Sequence, residues 1–501
     1  MFKFLDPVQN SIRNHRILWL PISFGVVLVI AALVRLWSIG AESAWIDEAY
    51  SIELAKHSII DIIKGTAADQ HPPFYYLLLH AWFRLGSGIV FARLLSVVLG
   101  VINVAQTMHF GYKSGGIYIA LVGGLLLAIS PMHVWYSQEI RMYILLACLT
   151  TAAATSLWWA LESKRMIHWI LYSIFSILAI YTHYFAFFLL AGFALWIVIR
   201  FVNGYPKNEI LKWVVSTLII LLTFLPWLPT AINQARYHSM TWVESPTINL
   251  IRDTLLRLLF GIAVLTLPEI LLWIVLVMVI GVFTWAFIKY LPVFSKHKGN
   301  FYYVISWGVI PFLCISAAAL IFPVYQFKQY LIVLAPILLL SAWITYLLPR
   351  TYRIIGLIIL ILTACTSLVY QQVTLSKDDW KGATEFIQQN STPDDALFSN
   401  PAAASLAFDQ YGELEIPLFG IPENYDIVSG GWEGEMLTPD KADDIFSELA
   451  QTYQRVWLLE FFPEFWDEDK YAENWLNHHS TLVVDQNFGR IRIRIYDFNS
   501  E

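Results

Sequence analysis

"LWLPISFGVVLVIAALVRLWSIGAESAWIDEAY", residues 18–50, contains the two features on which the reading of this chain turns. Its first part, from Leu18 to about Ser38, is an apolar run whose interior charge is Arg35. About 20 such residues cross the roughly 30 Å of a bilayer's hydrocarbon. Its second part sets two carboxylates, Asp47 and Glu48, side by side just past the run, with Trp45 and Tyr50 flanking them. The run is long, holds Arg35, lacks a small-residue cleavage site and is followed by further apolar runs. It therefore reads as a retained helix rather than a cleaved leader.

The rest of the chain repeats the pattern. Of 501 residues, 57% are hydrophobic, 16% aromatic and only 14% charged, with a mean hydropathy of +0.58. Soluble domains carry about a quarter charged residues, so this is a polytopic membrane protein. The acids are unevenly spread: 25 of the 38 follow Leu375 and 13 precede it. This divides the chain into a membrane domain, 1–374, and an acidic soluble tail, 375–501. Cys148, Cys314 and Cys365 all fall in apolar runs, as core fillers; they make neither a disulfide framework nor a thiolate metal site. No basic stripe suggests nucleic acid.

Lys and Arg near span ends mark the cytoplasmic side. Lys3, Arg13 and Arg16 place the N-terminus inside. Lys164-Arg165, then Arg200 with Lys207 and Lys212, then Lys289 with Lys296 and Lys298, then Arg350 with Arg353 are each separated by two apolar runs. Each pair of runs is one excursion out and back. The predicted spans are 17–38, 90–110, 117–132, 140–161, 166–182, 184–201, 213–232, 267–288, 302–321, 328–347 and 353–372. The count is eleven, thirteen at most, with 72–86 a short or partly inserted helix and the tail outside. Loops 39–71, 133–139, around 183, 233–266 and 322–327 then open on one outer face.

That face collects the unusual polar residues. Glu42, Asp47, Glu48, Glu53, Asp61 and Asp69 lie in the first outer loop, six of the 13 acids that precede the tail. "SPMHVWYSQEIRMYILLA" brings His133, Glu139, Arg141 and Tyr143; "YTHYF" brings His183; "FPVYQFKQYL" brings Lys328. Ionisable groups at membrane depth are costly and usually paired or functional. Arg141, expected about one turn inside its helix, presents a cation suited to phosphate, as does Lys328. A nearby carboxylate suits general-base work on a hydroxyl. Each residue also has a plainer role. Glu48, Glu53 and Asp61 read as solvated acids, Asp47 equally as an interfacial cap, and His133 and His183 as satisfied interior histidines. Trp45, Trp135 and Tyr136 suit an aromatic belt. Arg141 can pair with Glu139 or snorkel, and Pro72-Pro73 sets a helix start. No zinc spacing and no phosphate-binding glycine loop is present. The residues alone reach an outer-facing lipid-phosphate enzyme or transporter.

Taken in order, "DEAYS", "DQHPPFYYLLLHAW", "ARLLSVVLG" and "SPMHVWYSQEIRMYILL" resemble the membrane glycosyltransferases of the GT-C class. The likeness is greatest to the RgtA/B/C/D-like branch, related to aminoarabinose transferases and protein O-mannosyltransferases (glycosyltransferase family 39-like). It covers about 40–200 and continues weakly to "DDWKGATEFIQQN" at 378–390. The resemblance implies a GT-C fold, a polytopic α-helical membrane domain followed by a soluble α/β domain. It implies inverting transfer of a sugar from a polyprenyl-phosphate donor to a hydroxyl of a lipid, glycan or protein, on the extracytoplasmic face of the cell membrane. No cofactor is implied, and a divalent metal is not required. Asp47 matches the catalytic base, with Glu48 following it in the motif. Asp69, His71, Glu139, Arg141 and Tyr143 match the donor- and acceptor-binding motifs. Where related proteins carry Arg-Tyr at the head of a late span, this chain has "KQYL", which puts Lys328 and Tyr330 there.

The tail reads as a small α/β domain. Strands are expected at "ALFSN", "EIPLFG", "RVWLLEFF", "TLVVDQNF" and "IRIRIYDF", and helices at 381–390, 402–411, 439–453 and 467–478. Arg490, Arg492 and Arg494 alternate with Ile as on one strand face, which reads as a solvated face or, alternatively, as a surface docked on the membrane domain or on lipid head groups. The rival function is a transporter or flippase of a lipid-linked sugar. Internal inverted repeats would favour it, and the sequence shows none.

Overall fold

The computed structural model describes residues 6–237, 247–290, 296–322, 325–374, 377–423, 425–430 and 436–499; for 6–20, 290 and 296–298 it describes the backbone only. Lys3, 238–246 of the loop 233–266, 323–324 of the loop 322–327, and the boundary residue Leu375 lie outside the described residues.

Each of the eleven expected spans has a helix. Seven are long and apolar enough to cross a bilayer: Ile89–Gly115, Tyr143–Ser163, Lys207–Arg236, Glu269–Lys289, Gly299–Ala319, Phe327–Leu347 and Arg350–Thr374. Pro21–Leu36, Ile117–Ala128, Met166–Ile180 and Ala186–Val202 are shorter apolar helices. The shortest has 12 residues, about 18 Å at 1.5 Å per residue. The chain completes that predicted span with a second helix, Pro131–Tyr136, whose proline stands in its first turn, where its missing N–H costs nothing. Burial separates centre from perimeter. In Tyr143–Ser163 and Phe327–Leu347, 89% of the span is buried; in Glu269–Lys289 the figure is 11%, so that helix turns its apolar side chains toward lipid.

The chain forms two compact units, Met1–Trp37 with Leu94–Leu375, and Ser38–Arg93 with Ser376–Glu501. Composition places one boundary near 374; packing adds the first outer loop to the tail. The first unit is the helical bundle. It holds a buried arginine, Arg35, that bonds only neutral acceptors among the described hydrogen bonds. Its guanidinium donates to the carbonyls of Ala31 (2.8 Å), Ala128 (2.9 Å) and Leu127 (3.3 Å) and to Ser137 Oγ (3.1 Å), and meets His133 Nδ1 at 2.7 Å. Leu127 and Ala128 end a helix, where carbonyls lack helical partners and the helix dipole is negative. His133 Nε2 meets Asn103 Oδ1 at 2.9 Å, so Nδ1 accepts from Arg35 while Nε2 donates. Gly100 permits this approach: a Cβ there would stand 2.5 Å from Ser137 Oγ. His133 is thus the satisfied interior histidine of the alternatives above.

The second unit carries a five-stranded mixed sheet in the order β2-β1-β3-β5-β4, with β1 Asp395–Asn400, β2 Leu418–Gly420, β3 Arg455–Glu460, β4 Thr481–Phe488 and β5 Ile491–Asp497. β1 runs parallel to β2 and β3; β5 is antiparallel to β3 and β4. All five match expected strands. The helices Trp380–Asn390, Pro439–Thr452 and Tyr471–His479 match expected ones, while 402–411 shortens to Ser405–Phe408 after a 3₁₀ turn. Phe398, Phe446, Val456, Leu458 and Leu476 lie in one buried core. Of the three arginines, Arg490, just before β5, and Arg492 keep solvent access, with side chains 60% and 38% exposed, and Arg494 does not. Arg490 binds Asp378 (2.7 Å) and Arg492 binds Asp485 (2.6 Å), while Arg494 is 1% exposed and paired with both Glu460 and Glu473. Alternation located the strand, but the acids that neutralise these side chains come from elsewhere in the sequence.

Candidate functional site

In the second unit residues 39–71 hold two short helices, Ile46–Lys56 and Ile59–Ala68, and the short helix expected at 72–86 follows as a third, Phe74–Trp82. Ser58 caps the second by accepting from the Asp61 N–H, and Pro73 stands at the start of the third. Asp47 and Glu48 occupy the first turn of Ile46–Lys56, where a carboxylate meets the positive end of the helix dipole. Their environments differ. Asp47 is half-buried. Glu48 is fully buried, which corrects the reading of it as a solvated acid. Arg93 grips it with Nε on Oε1 (3.0 Å) and Nη2 on Oε2 (2.8 Å), and Lys377 Nζ adds 2.9 Å to Oε2. Burial alone would raise this carboxyl; Lys377 and Arg93 outweigh it and hold Glu48 down at about 2.

The same cluster stitches loop to tail. Arg93 also donates to the carbonyls of Ile39, Glu42 and Ser43, and the Lys377 N–H donates to Glu42 Oε2 (2.8 Å). The Ala44 N–H donates to the Tyr411 hydroxyl (2.5 Å). A Cβ at Gly65 would stand 2.8 Å from the carbonyl oxygen of Ile427, so this helix turn lies against the tail's backbone. Asp69 ends its helix, and His71 follows in the bend before Pro72-Pro73; both are half-buried. Tyr425 is pushed up by burial and then by Asp69 and Asp426.

The first unit holds the other predicted residues. Arg141 is not inside a helix, as the sequence suggested. The helix begins at Tyr143, and Arg141 sits buried in the turn before it. There the Glu139 carbonyl accepts from Ser96 Oγ (2.6 Å), a residue 43 positions away, and Ser137 Oγ donates to the His133 carbonyl (2.6 Å). Glu139 is buried in the same turn. Lys328 and Tyr330 lie in a 3₁₀ turn, Phe327–Tyr330, that carries a capping box between Gln326 and Gln329. Lys328 Nζ stands 5.1 Å from the Tyr143 ring centroid, and Tyr143 meets His183 ring to ring at 6.2 Å. His183 Nδ1 accepts from the Phe185 N–H. His183, in the turn between two helices, is pushed down to about 3, first by burial and then by Lys328 and Arg141. Tyr330 is buried and shares a hydrogen bond with Ser316 Oγ (3.0 Å). Arg141, Tyr143, His183 and Lys328 therefore form one group.

Sequence reading missed Arg257. It lies in the last turn of Ile248–Phe260, inside the segment 233–266 where the sequence suggests a loop, and a helix C-terminus favours a cation. Its guanidinium stacks 4.0 Å from the Phe327 ring. Burial lowers it, opposed by Tyr136, Tyr325 and Asp253. The helix stops at Gly261, whose φ of 82° suits glycine, and Ser367 Oγ donates there to the Phe260 carbonyl and accepts from the Ala263 N–H. The signal was present as an apolar face over Leu255, Leu256, Leu258 and Leu259 that ends in glycine. The other missed residues are Arg93, which stands in a quoted motif, and Lys377.

No family model matches the chain, and no curated protein matches it in sequence. Solved structures do match. ArnT from Cupriavidus metallidurans superposes with a TM-score of 0.60 at 14% identity, over 94% of this chain and 97% of that one, in the apo state. The same protein bound to undecaprenyl phosphate gives 0.60 at 13%. The fold is GT-C. The archaeal oligosaccharyltransferase AglB from Archaeoglobus fulgidus, in complex with an inhibitory peptide and a dolichol-phosphate, gives 0.54 at 13%, over 92% of this chain and 72% of that one. At such identity the likeness speaks for the GT-C architecture, a multi-pass helical membrane domain followed in the chain by a soluble domain.

Proposed function

We propose that this protein is an integral-membrane glycosyltransferase. It moves a sugar from a polyprenyl-phosphate donor to a hydroxyl of a lipid, glycan or protein acceptor, with inversion, on the extracytoplasmic face of the cell membrane. The observation that carries this reading is the GT-C fold over 94% of the chain, shared with an ArnT that binds undecaprenyl phosphate. The division of labour between the two adjacent acids supports it. Glu48 is committed to Arg93 and Lys377; Asp47, half-buried beside it, is the acid for proton transfer. Asp47 takes the acceptor hydroxyl's proton as that oxygen attacks the anomeric carbon. The bond from that carbon to the phosphate oxygen breaks, and the lipid phosphate leaves with the electron pair. Arg141 and Lys328 neutralise the departing charge, with Arg257, His71, Tyr143 and Tyr330 lining the donor; Asp69, Glu139 and His183 orient substrate groups. Lipid phosphate is a competent leaving group, so the steps need no metal.

The test uses the purified full chain in nanodiscs with an undecaprenyl-phosphate sugar and follows release of undecaprenyl phosphate. Wild type releases it. Asp47→Asn is expected to lower the rate by about 10²–10⁴-fold, the usual share of a general base, with an unchanged melting temperature. Near-normal turnover in that variant removes Asp47 from the base role. Binding of the lipid-linked sugar without release, in wild type, indicates a carrier instead.

A further inference from the structure

A cavity of about 500 Å³ in the first unit lies at the opposite end of the helices from Arg141 and Lys328. It is lined by Trp158 and Glu162 near the end of Tyr143–Ser163, by Trp196 and Arg200 near the end of Ala186–Val202, and by Tyr205 and Asn300. Tyr143 begins the 21-residue helix that Glu162 nearly ends, a separation of about 30 Å along the axis. The same end carries Lys164, Arg165, Lys207 and Lys212, the charges that mark a cytoplasmic surface.

The walls are fixed. Trp158 Nε1 donates to Asn300 Oδ1 (2.9 Å), and Asn300 Nδ2 donates to the Ser114 carbonyl (2.7 Å). Gly204, at φ 79°, lets the chain turn so that the Tyr205 hydroxyl reaches the Leu161 carbonyl. Tyr205 in turn holds Arg200, whose guanidinium stacks 4.2 Å from its ring and 5.8 Å from that of Trp196. Two opposite charges remain at the cavity, Arg200 and Glu162, 3.9 Å apart. That is beyond hydrogen-bond length, and among the described residues Arg200 Nε has no hydrogen-bond partner. Both side chains are about one quarter exposed.

We infer that this cavity binds the headgroup of a zwitterionic phospholipid bearing a primary ammonium, its phosphate on Arg200 and its ammonium on Glu162. The volume falls in the usual range for small-ligand pockets, about 300–1,000 Å³, and aromatic side chains with one polar edge suit the headgroup depth of a bilayer. The charge balance selects the class. An anionic headgroup would leave Glu162 facing a phosphate, and basic pockets for such lipids line themselves with an excess of cations, whereas this cavity's lining holds one, Arg200. A quaternary ammonium would need free aromatic faces, and here Arg200 occupies those of Tyr205 and Trp196. A primary ammonium instead donates directly to a carboxylate.

The test is lipid retention by native mass spectrometry of the full chain, titrated separately with dioleoyl phosphatidylethanolamine, phosphatidylcholine and phosphatidylglycerol. Wild type is expected to hold the ethanolamine lipid at least about tenfold more tightly than the other two, one charge-assisted hydrogen bond's worth of discrimination. Arg200→Ala and Glu162→Gln are each expected to erase that preference while melting as wild type does without added lipid. Equal retention of the three lipids by wild type overturns the inference without recourse to any variant. So does a preference for the glycerol lipid, or a preference that survives both substitutions. None of these outcomes depends on transferase activity.

Discussion

Two buried arginines, one in each unit, solve the same electrostatic problem differently. Arg35 in the helical bundle is neutralised by dipoles: three carbonyls, a hydroxyl and a neutral imidazole. Arg93 in the second unit is neutralised by a full charge, the Glu48 carboxylate, which it shares with Lys377. The first arrangement is local to the helix ends and contains no acid to titrate. The second binds together residues 45 and 329 positions apart and depends on one carboxyl staying ionised. A membrane bundle has many unused carbonyls at helix ends, and a loop that must be fastened to a distant domain needs a stronger link.

The comparison breaks most visibly at Glu48. Glu48→Ala leaves two cations buried without their counter-charge, and chemical denaturation should show a loss of about 3–5 kcal/mol. Replacing Glu48, Arg93 and Lys377 together by methionine should recover most of it. No recovery would mean that the cluster matters through shape rather than charge. The next effect is on pH. Glu48 is depressed from 4.5 to about 2 in the fold, so the stability it contributes is full above about 4.5 and is lost as pH falls toward 2. That amounts to about 3 kcal/mol. Glu48→Gln should remove this acid-limb slope; an unchanged slope would assign it to other carboxylates. The smallest effect belongs to the dipole-based site. His133→Phe removes one acceptor from Arg35 and should cost about 1–3 kcal/mol. Arg35→Leu with His133→Phe should cost less than the two single changes added together, measured by thermal melting; strict additivity would deny their coupling.

The spans were legible in the sequence because a bilayer demands both length and apolarity, and each of the eleven has a helix. The strands were legible because side chains alternate, as in "IRIRIYDF". What was hidden depended on partners remote in sequence. Glu48 looks solvated beside Glu53 and Asp61, because nothing within the loop announces Arg93 or Lys377. Arg494 looks solvated beside Arg490, because Glu460 and Glu473 lie on other elements. Apolar periodicity running on past Arg141 predicts a helix there, but the Glu139 carbonyl accepts from the remote Ser96 and the helix starts only at Tyr143. Arg257 is hidden because its helix, Ile248–Phe260, lies within a segment whose sequence suggests a long loop.

The second unit joins Ser38–Arg93 to Ser376–Glu501, and this joining has a consequence for synthesis. The loop leaves the ribosome early, and its partner follows only after the intervening bundle. At about 5–20 residues per second, roughly 280 residues separate the two by about 14–56 s. Through that interval Glu48 has Arg93 in the chain but no Lys377, and the Asp47 turn has no tail to rest on. The candidate base therefore acquires its surroundings last, when nearly the whole chain has been made and inserted. A nascent chain shorn of its tail would be a finished bundle with an unfinished acid pair.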